Sequence, residues 1–328
     1  MKKVRNIPLY TITDKIVNLT AEISELVGVI TVKNNINANP KLRRDNRIRT
    51  IHATLAIENN SLSLEQVTDV IDGKRVLGKP YEIQEVKNAY KAYERLLQYN
   101  PYSVQDLLDA HRLLMTGLIQ ETGVFRQGGV GVFAGERLVH MAPPAKQVPQ
   151  LITELLQWTE KARLHPLIKS CVFHYEFEFI HPFADGNGRM GRMWQTLLLA
   201  KWKPFFAWLP VETLIRERQD EYYRALALSD KNADAQPLAE FLLQVILAAL
   251  KELAETEQVS EQATVQVRRL LEALGTDTLS GRELMKRLDL KHRPTFRNNY
   301  LVPALEQKLI TMTVPDKPNS SKQKYRRV

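Results

Sequence analysis

HPFADGNGRMGR, residues 181–192, packs a histidine, an acid, two glycines around an asparagine and two arginines into one short stretch. An apolar helical run follows at once, with Met193, Trp194, Leu197, Leu198 and Leu199. Glycines just before a helix let the backbone turn free N–H groups toward a ligand, and the helix N-terminus adds a partial positive charge. Gly186, Asn187 and Gly188 therefore read as an anion nest that suits a phosphate. Arg189 and Arg192 neighbour each other on the first turn of that helix, where two guanidinium forks suit the further phosphates of a polyphosphate. Asp185 would be repelled by phosphate unless a cation lay between them, which makes it the natural ligand for a Mg²⁺ bridging two phosphates. His181 is then left for proton transfer, with an unperturbed pKa of about 6.5. The residues point to phosphoryl or nucleotidyl transfer from a Mg²⁺ nucleotide, with His181 as base and Phe183 anchoring the loop by burial.

Outward from this loop, apolar residues recur three and four apart over Tyr81–Tyr99, Val104–Leu118, Val148–Trp158 and Leu238–Leu253, so the body is expected to be helical. One interval breaks the rule. VFRQGGVGVFAGERLVHMAPPA, residues 124–145, carries a glycine cluster, β-prone residues, a central AGE turn and a terminating proline pair, which predicts a β-hairpin. His111 and His174 sit in apolar helical patterns and read as structural, as does Cys171, the single cysteine, in IKSCVFHY. Charged and amide residues crowd Glu252–Gln266. They suggest a linker with a boundary near residue 262.

The chain has 328 residues, 44% of them hydrophobic, and a net charge of +9. That length and composition fit one large core plus a smaller second domain. The charge is uneven: Lys291–Val328 holds nine Lys or Arg against Glu306 and Asp316, a net +7, leaving +2 for everything before it. The apolar stretches fall short of the roughly 20 residues a membrane span needs, and the N-terminus lacks an export-type apolar core. No membrane association and a cytoplasmic location are expected.

HPFADGNGRMGR resembles the HPFxxGNGRxxR signature of the Fic (filamentation induced by cAMP) domain family, with every defining position filled. The resemblance covers roughly residues 40–255, and the C-terminal region is similar to the winged-helix domain of many bacterial Fic proteins. It implies a mainly α fold: a Fic helical domain with a small β-hairpin flap, then a winged helix-turn-helix domain. The corresponding divisions are an N-terminal helical extension at 1–39, the Fic domain at 40–262, and the winged helix at 263–328. Within the Fic domain an inhibitory helix falls at about 45–60 and the flap at about 129–141.

The implied activity is transfer of AMP from ATP to Ser, Thr or Tyr hydroxyls of a target protein. By that carry-over His181 deprotonates the hydroxyl and Asp185 holds Mg²⁺. Gly186, Asn187 and Gly188 cradle the α-phosphate, while Arg189 and Arg192 hold the β- and γ-phosphates. Gly131, Val132 and Phe133 lie on the flap, whose edge pairs with an extended stretch of target. Tyr222 and Tyr223 in RQDEYYRALAL resemble the family's tyrosine pair near the adenine.

TLAIEN, residues 54–59, matches the family's inhibitory pattern of Ser or Thr, three residues, Glu, then Gly or Asn. Thr54 and Glu58 share one helix face. Glu58 is positioned to pair with Arg192 through a bidentate bond and so to displace the γ-phosphate, while Thr54 secures the packing. In the C-terminal module, Arg293, Arg297, Asn298 and Asn299 open the second helix, where winged helices contact DNA. Basic wings also serve protein contacts, so DNA, a protein and a second copy of the chain are all candidate partners. Two other readings of the whole chain stand beside AMP transfer: a DNA-binding regulator whose Fic domain senses nucleotide, and a Fic enzyme that removes AMP or transfers another nucleotide.

Overall fold

The computed structural model describes residues 8–33, 40–129, 131–134, 137–318, 320 and 322–328. The chain is mainly helical and divides into two compact units, residues 1–251 and 252–328.

In the first unit α1 (Asp14–Lys33), α2 (Pro40–Ile57), α3 (Leu64–Ile71), α4 (Pro80–Glu94) and α5 (Val104–Met115) precede a two-stranded hairpin. Its strands β1 (Gly131–Ala134) and β2 (Arg137–Met141) are antiparallel, with an irregularity between Val132 and Phe133. The expected flap is present as backbone, while the side chains of Gly131, Val132 and Phe133 lie outside the described residues. Next come α6 (Val148–Lys161), α7 (Pro166–Ile180), α8 (Asn187–Trp202), α9 (Val211–Glu217) and α10 (Gln219–Asn232).

α8 forms the centre of this unit, since every residue from Arg189 to Ala200 is buried. A helix buried on all sides is a core helix. Trp194, fully buried, donates its indole N–H to the Pro101 carbonyl at 3.0 Å. α7 packs along α8 and buries Phe173 and Phe177 in the same cluster. α2 docks on this core through Ile48, Ile51 and Leu55, and its buried Arg47 lies over the Trp208 ring at 4.4 Å.

α11 runs unbroken from Gln236 to Leu274. The polar stretch expected as a linker is therefore helical, because its Glu, Gln, Ala and Leu residues are good helix formers without a breaking Gly or Pro. In the second unit β3 (Leu279–Ser280) and α12 (Gly281–Arg287) lead into a second helical segment. That segment comprises α13 (Arg293–Phe296), a π-helical turn (Arg297–Leu301) and α14 (Val302–Glu306). β4 (Ile310–Met312) and β5 (Lys324–Arg327) complete an antiparallel sheet in the order β3-β5-β4, the strand–helix–helix–strand–strand succession expected of a winged helix. Pro303 accounts for the π turn, since its ring cannot sit against the Asn299 carbonyl in regular α geometry. Leu270, Leu284, Phe296 and Ile310 close a separate small core. Among the described residues no helix is long and apolar enough to cross a membrane.

Candidate active site

α7 ends at Ile180, and His181 follows in the left-handed region, φ 49° and ψ 63°. A left-handed residue is a common helix terminator, usually glycine; here a histidine bears that strain, and Pro182 prevents any continuation. His181 is half-buried, with Nδ1 3.4 Å from the Glu178 carbonyl. Asn187 closes the loop: its Nδ2 donates to the Phe183 carbonyl and its Oδ1 accepts from the Phe183 N–H, both at 2.9 Å. The expected Asn187 contact to phosphate is thereby limited to backbone, because the side-chain amide is engaged and 3% exposed.

Phe183 is fully buried as expected and stacks on His111 with ring centroids 3.7 Å apart. His111 Nδ1 accepts from the Gly123 N–H at 2.9 Å, which assigns the ring proton to Nε2, 3.0 Å from the Asp185 carbonyl. Burial pushes its pKa down to about 4, so the ring stays neutral. It is structural, as read from the sequence, yet it supports the loop of the candidate site.

Gly186, at φ 85°, begins α8 with no side-chain cap. The first-turn N–H groups of α8 therefore have no intrahelical partners, an arrangement that suits an anion. Asp185 is 57% exposed; its Oδ1 accepts from the Gly186 N–H at 2.5 Å and lies 3.3 Å from Arg189 Nη2. Arg189 also donates Nη1 to Glu85 Oε1 at 2.8 Å, and Glu85 Oε2 accepts from Asn60 at 2.8 Å. Glu85 drew no notice in the sequence, since a helical Glu in PYEIQEVKN looks like any solvated one. Among the described residues no group of three or more His, Cys, Asp or Glu could hold a metal. An exposed carboxylate beside a phosphate nest nonetheless suits Mg²⁺, which commonly takes one or two carboxylates plus phosphates and water.

Arg192 is 2% exposed and partnered through two of its nitrogens: Nη2 lies 2.7 Å from Glu58 Oε1 and 3.1 Å from the Thr54 carbonyl, and Nε lies 2.9 Å from Thr54 Oγ1. The ion pair expected from TLAIEN is present, but through one Nη2···Oε1 contact rather than a bidentate fork, because Thr54 occupies Nε. Burial by itself would lower the Arg192 pKa; Glu58 more than offsets it and the net shift is upward. Glu58 lies just beyond α2, which ends at Ile57. Asn59 is left-handed at φ 66°, and N–H bonds from Asn59 to Ala56 and from Asn60 to Leu55 complete a Schellman closure. Only Gly or Asn adopts that conformation readily, which explains the last position of the motif. The Glu58 carboxylate caps the nest itself: a Cβ added to Gly188 would stand 2.5 Å from Oε1.

Tyr222 is 1% exposed and its hydroxyl lies 2.9 Å from His174 Nε2. It has no open ring face for a base, and only Tyr223, 47% exposed, presents one. Burial holds His174 neutral, with a pKa pushed down to about 3, and raises the Cys171 thiol to about 12, an unreactive state. Sequence reasoning also missed Arg126, 3% exposed, whose Nε donates to the His181 carbonyl at 2.7 Å, and Glu178, whose Oε1 is buried without a hydrogen bond. Neither has a spacing signal that sequence alone reveals.

Burial raises the Glu178 pKa from 4.5 to about 7, Arg192 partly opposing this and Glu58 adding to it. A carboxyl whose folded-state pKa exceeds its unfolded one contributes stability fully present below about 4.5, which is lost as pH rises through about 7. Between about pH 5 and pH 8, Glu178→Gln should therefore lose less stability than the parent, by on the order of 2 kcal/mol. Urea midpoints of both proteins at the two pH values measure this difference; equal losses would show that Glu178 does not titrate there.

Residues 101–199 match the Fic/DOC family, and residues 265–327 match the Filamentation induced by cAMP protein Fic-like, C-terminal domain. The chain is 26% identical over 264 residues to the Protein adenylyltransferase Fic of Drosophila willistoni, covering 76% of this chain and 49% of that one. For the Drosophila erecta protein of the same name the identity is 27% over 219 residues, covering 62% and 42%. The chain thus spans about half the length of the curated relatives it matches. Fic-1 from C. elegans shares the fold, with a TM-score of 0.58 at 21% identity over 74% of each chain. The crystal structure of a Fic family protein from Desulfovibrio desulfuricans G20 is 59% identical, with a TM-score of 0.76 and 98% of each chain covered. With a relative that similar over nearly its whole length, and with the HPFADGNGRMGR loop seated at the N-terminus of its central helix, this chain belongs to the Fic family.

Proposed function

We propose that the chain is a self-inhibited protein adenylyltransferase, moving AMP from ATP to a hydroxyl side chain of a target protein. The observation that carries this reading is the Glu58–Arg192 contact over Gly188, which puts a carboxylate where a nucleotide phosphate would lie in an otherwise complete loop. In the active form the α8 N-terminal N–H groups and Arg189 and Arg192 hold the triphosphate. His181 takes the proton of the target hydroxyl, whose oxygen forms a bond to the α-phosphorus while the bond to the β-phosphate oxygen breaks and pyrophosphate leaves. Asp185 would hold a Mg²⁺, which neutralises charge on the phosphates. The hairpin Gly131–Met141, paired only with itself among the described residues, offers an edge for strand addition by the target. Tyr223 offers the open ring for adenine. The reading is also supported by the curated relatives, which bear the name adenylyltransferase.

The C-terminal unit carries a second partner in this proposal. Lys291, Arg293, Arg297, Asn298 and Asn299 are all exposed around the start of its second helical segment, and Arg326 is exposed on β5. A basic helix start beside a basic strand favours a polyanion, and duplex DNA fits it. Binding of the chain to duplex DNA should weaken steeply with salt, and Arg293→Ala with Arg297→Ala should reduce the slope of log K against log salt by about 2. An unchanged slope in titrations of the double variant would remove DNA from the proposal.

His181→Ala should lower transfer of label from α-labelled ATP by about 10² to 10⁴ while leaving ATP binding nearly intact, because the phosphates are held elsewhere. Near-normal turnover by the purified variant would refute the base assignment. Label arriving from γ-labelled ATP instead would mark phosphorylation.

Glu58→Gly should raise transfer, since removing the carboxylate frees both Arg192 and the space above Gly188. One hydrogen bond between charged groups is worth about 1.5–3 kcal/mol, so relief of about 10- to 100-fold is expected. In an Arg192→Ala background most of that gain should vanish. Rates of the four proteins at one ATP concentration decide this; an equal gain with and without Arg192 would place the inhibition elsewhere.

A further inference from the structure

Arg126 is a buried cation. It is 3% exposed, and among the described residues no carboxylate pairs with it. Buried arginines ordinarily sit against acids, since an unpaired buried charge is strongly unfavourable. The partners here are carbonyl oxygens from three separate places along the chain. Nε donates to His181 at 2.7 Å and Nη2 to Ile180 at 3.3 Å, which are the last carbonyls of α7 and its cap. Nη1 donates to Gly128 at 2.8 Å, on the leg that enters the hairpin. Nη2 also donates to Pro143 at 2.5 Å, on the leg that leaves it. The Arg126 backbone N–H adds a bond to the Pro182 carbonyl at 3.0 Å.

The C-terminus of α7 explains how the charge is tolerated. Its unsatisfied carbonyls and the negative end of the helix dipole together supply what a carboxylate would. The planar guanidinium explains why several partners can be held at once, because its N–H groups diverge in a fixed plane. A lysine has a single nitrogen at the end of a flexible stem and cannot span α7 and both hairpin legs. Arg126 also holds the carbonyl of the residue that bears the left-handed strain, so it fixes the backbone from which the His181 imidazole projects.

We propose that Arg126 is a positioning residue that registers the hairpin against His181, so that a target hydroxyl presented on the hairpin edge arrives at the imidazole. This rests on the adenylyl-transfer reading for its consequence, though not for its geometry. Misplacing a reacting group by about 1 Å can reduce rate by about 10²-fold without weakening binding of the other substrate.

The experiment compares full-length Glu58→Gly protein with the same protein carrying Arg126→Lys or Arg126→Met. Both variants should keep the KM for ATP within about threefold while kcat for transfer of α-label falls by about 10²-fold. Arg126→Lys, which keeps the charge, should not rescue it. Hydrogen exchange should accelerate together in the segments around 127–129, 142–147 and 180–186, while α8 stays protected. A role in stability alone predicts instead that ATP binding and turnover fall in step. The proposal is overturned if Arg126→Lys retains kcat within about threefold, if exchange rises on the hairpin side only, or if both variants lose cooperative unfolding in urea. Should the Glu58→Gly parent transfer no label, the adenylyl-transfer reading fails while the exchange measurement still decides whether Arg126 couples hairpin and histidine.

Discussion

A buried guanidinium needs its charge met: Arg126 meets it with carbonyls at the C-terminus of α7, whereas Arg192, near the positive N-terminal end of α8, has to face an anion, and there this constraint organises the molecule. At 2% exposure it cannot rely on water, so a carboxylate or a phosphate must stand against it. In this conformation the anion is Glu58, and the hydroxyl and carbonyl of Thr54 accept from the same guanidinium. The same requirement makes a phosphate the natural replacement, and the two anions cannot share the space above Gly188. Inhibition in the proposed function is then competition for one buried cation, with α2 supplying the competitor in cis. That competitor is effective because α2 is anchored through Ile48, Ile51 and Arg47 and delivers Glu58 at a fixed point.

The loop before α8 is held by residues that do not themselves resemble chemistry. Asn187 ties the loop to itself through Phe183, His111 supports the Asp185 carbonyl from below, and Arg126 binds the end of α7. Glu85 partners Arg189 much as Glu58 partners Arg192, so both arginines stand against carboxylates in this conformation. The consequence is an arrangement whose strain, concentrated in the left-handed His181, is over-determined by its surroundings. The C-terminal unit folds around its own small core, which lets its basic surface evolve a partner without disturbing that arrangement.

Much of this was legible in the residues. The HPFADGNGRMGR stretch announced a loop and a helix N-terminus, the glycine cluster and proline pair announced the hairpin, and the spacing in TLAIEN put Thr54 and Glu58 on one helix face. These are local statements, carried by residues whose backbone preferences or spacing narrow the options. The polar stretch after Glu252, expected as a linker, is helical, because helix propensity there outweighs polarity.

What sequence alone determined is therefore the mainly helical fold class and the HPFADGNGRMGR loop before a helix, while the pairing of Glu58 with Arg192 was read through the family resemblance. What only the tertiary structure decided is which groups spend their hydrogen bonds on one another. Asn187 lost its ligand-facing amide to Phe183, Tyr222 lost its open face to His174 and the core, and Arg126 and Glu85 gained roles that nothing nearby in the chain foretells. The reason is physical: a side chain's type fixes what it is able to bond, but burial and the distant segments that fold against it fix what it does bond, and such partners lie 104 residues apart for Arg189 and Glu85 and 134 apart for Arg192 and Glu58.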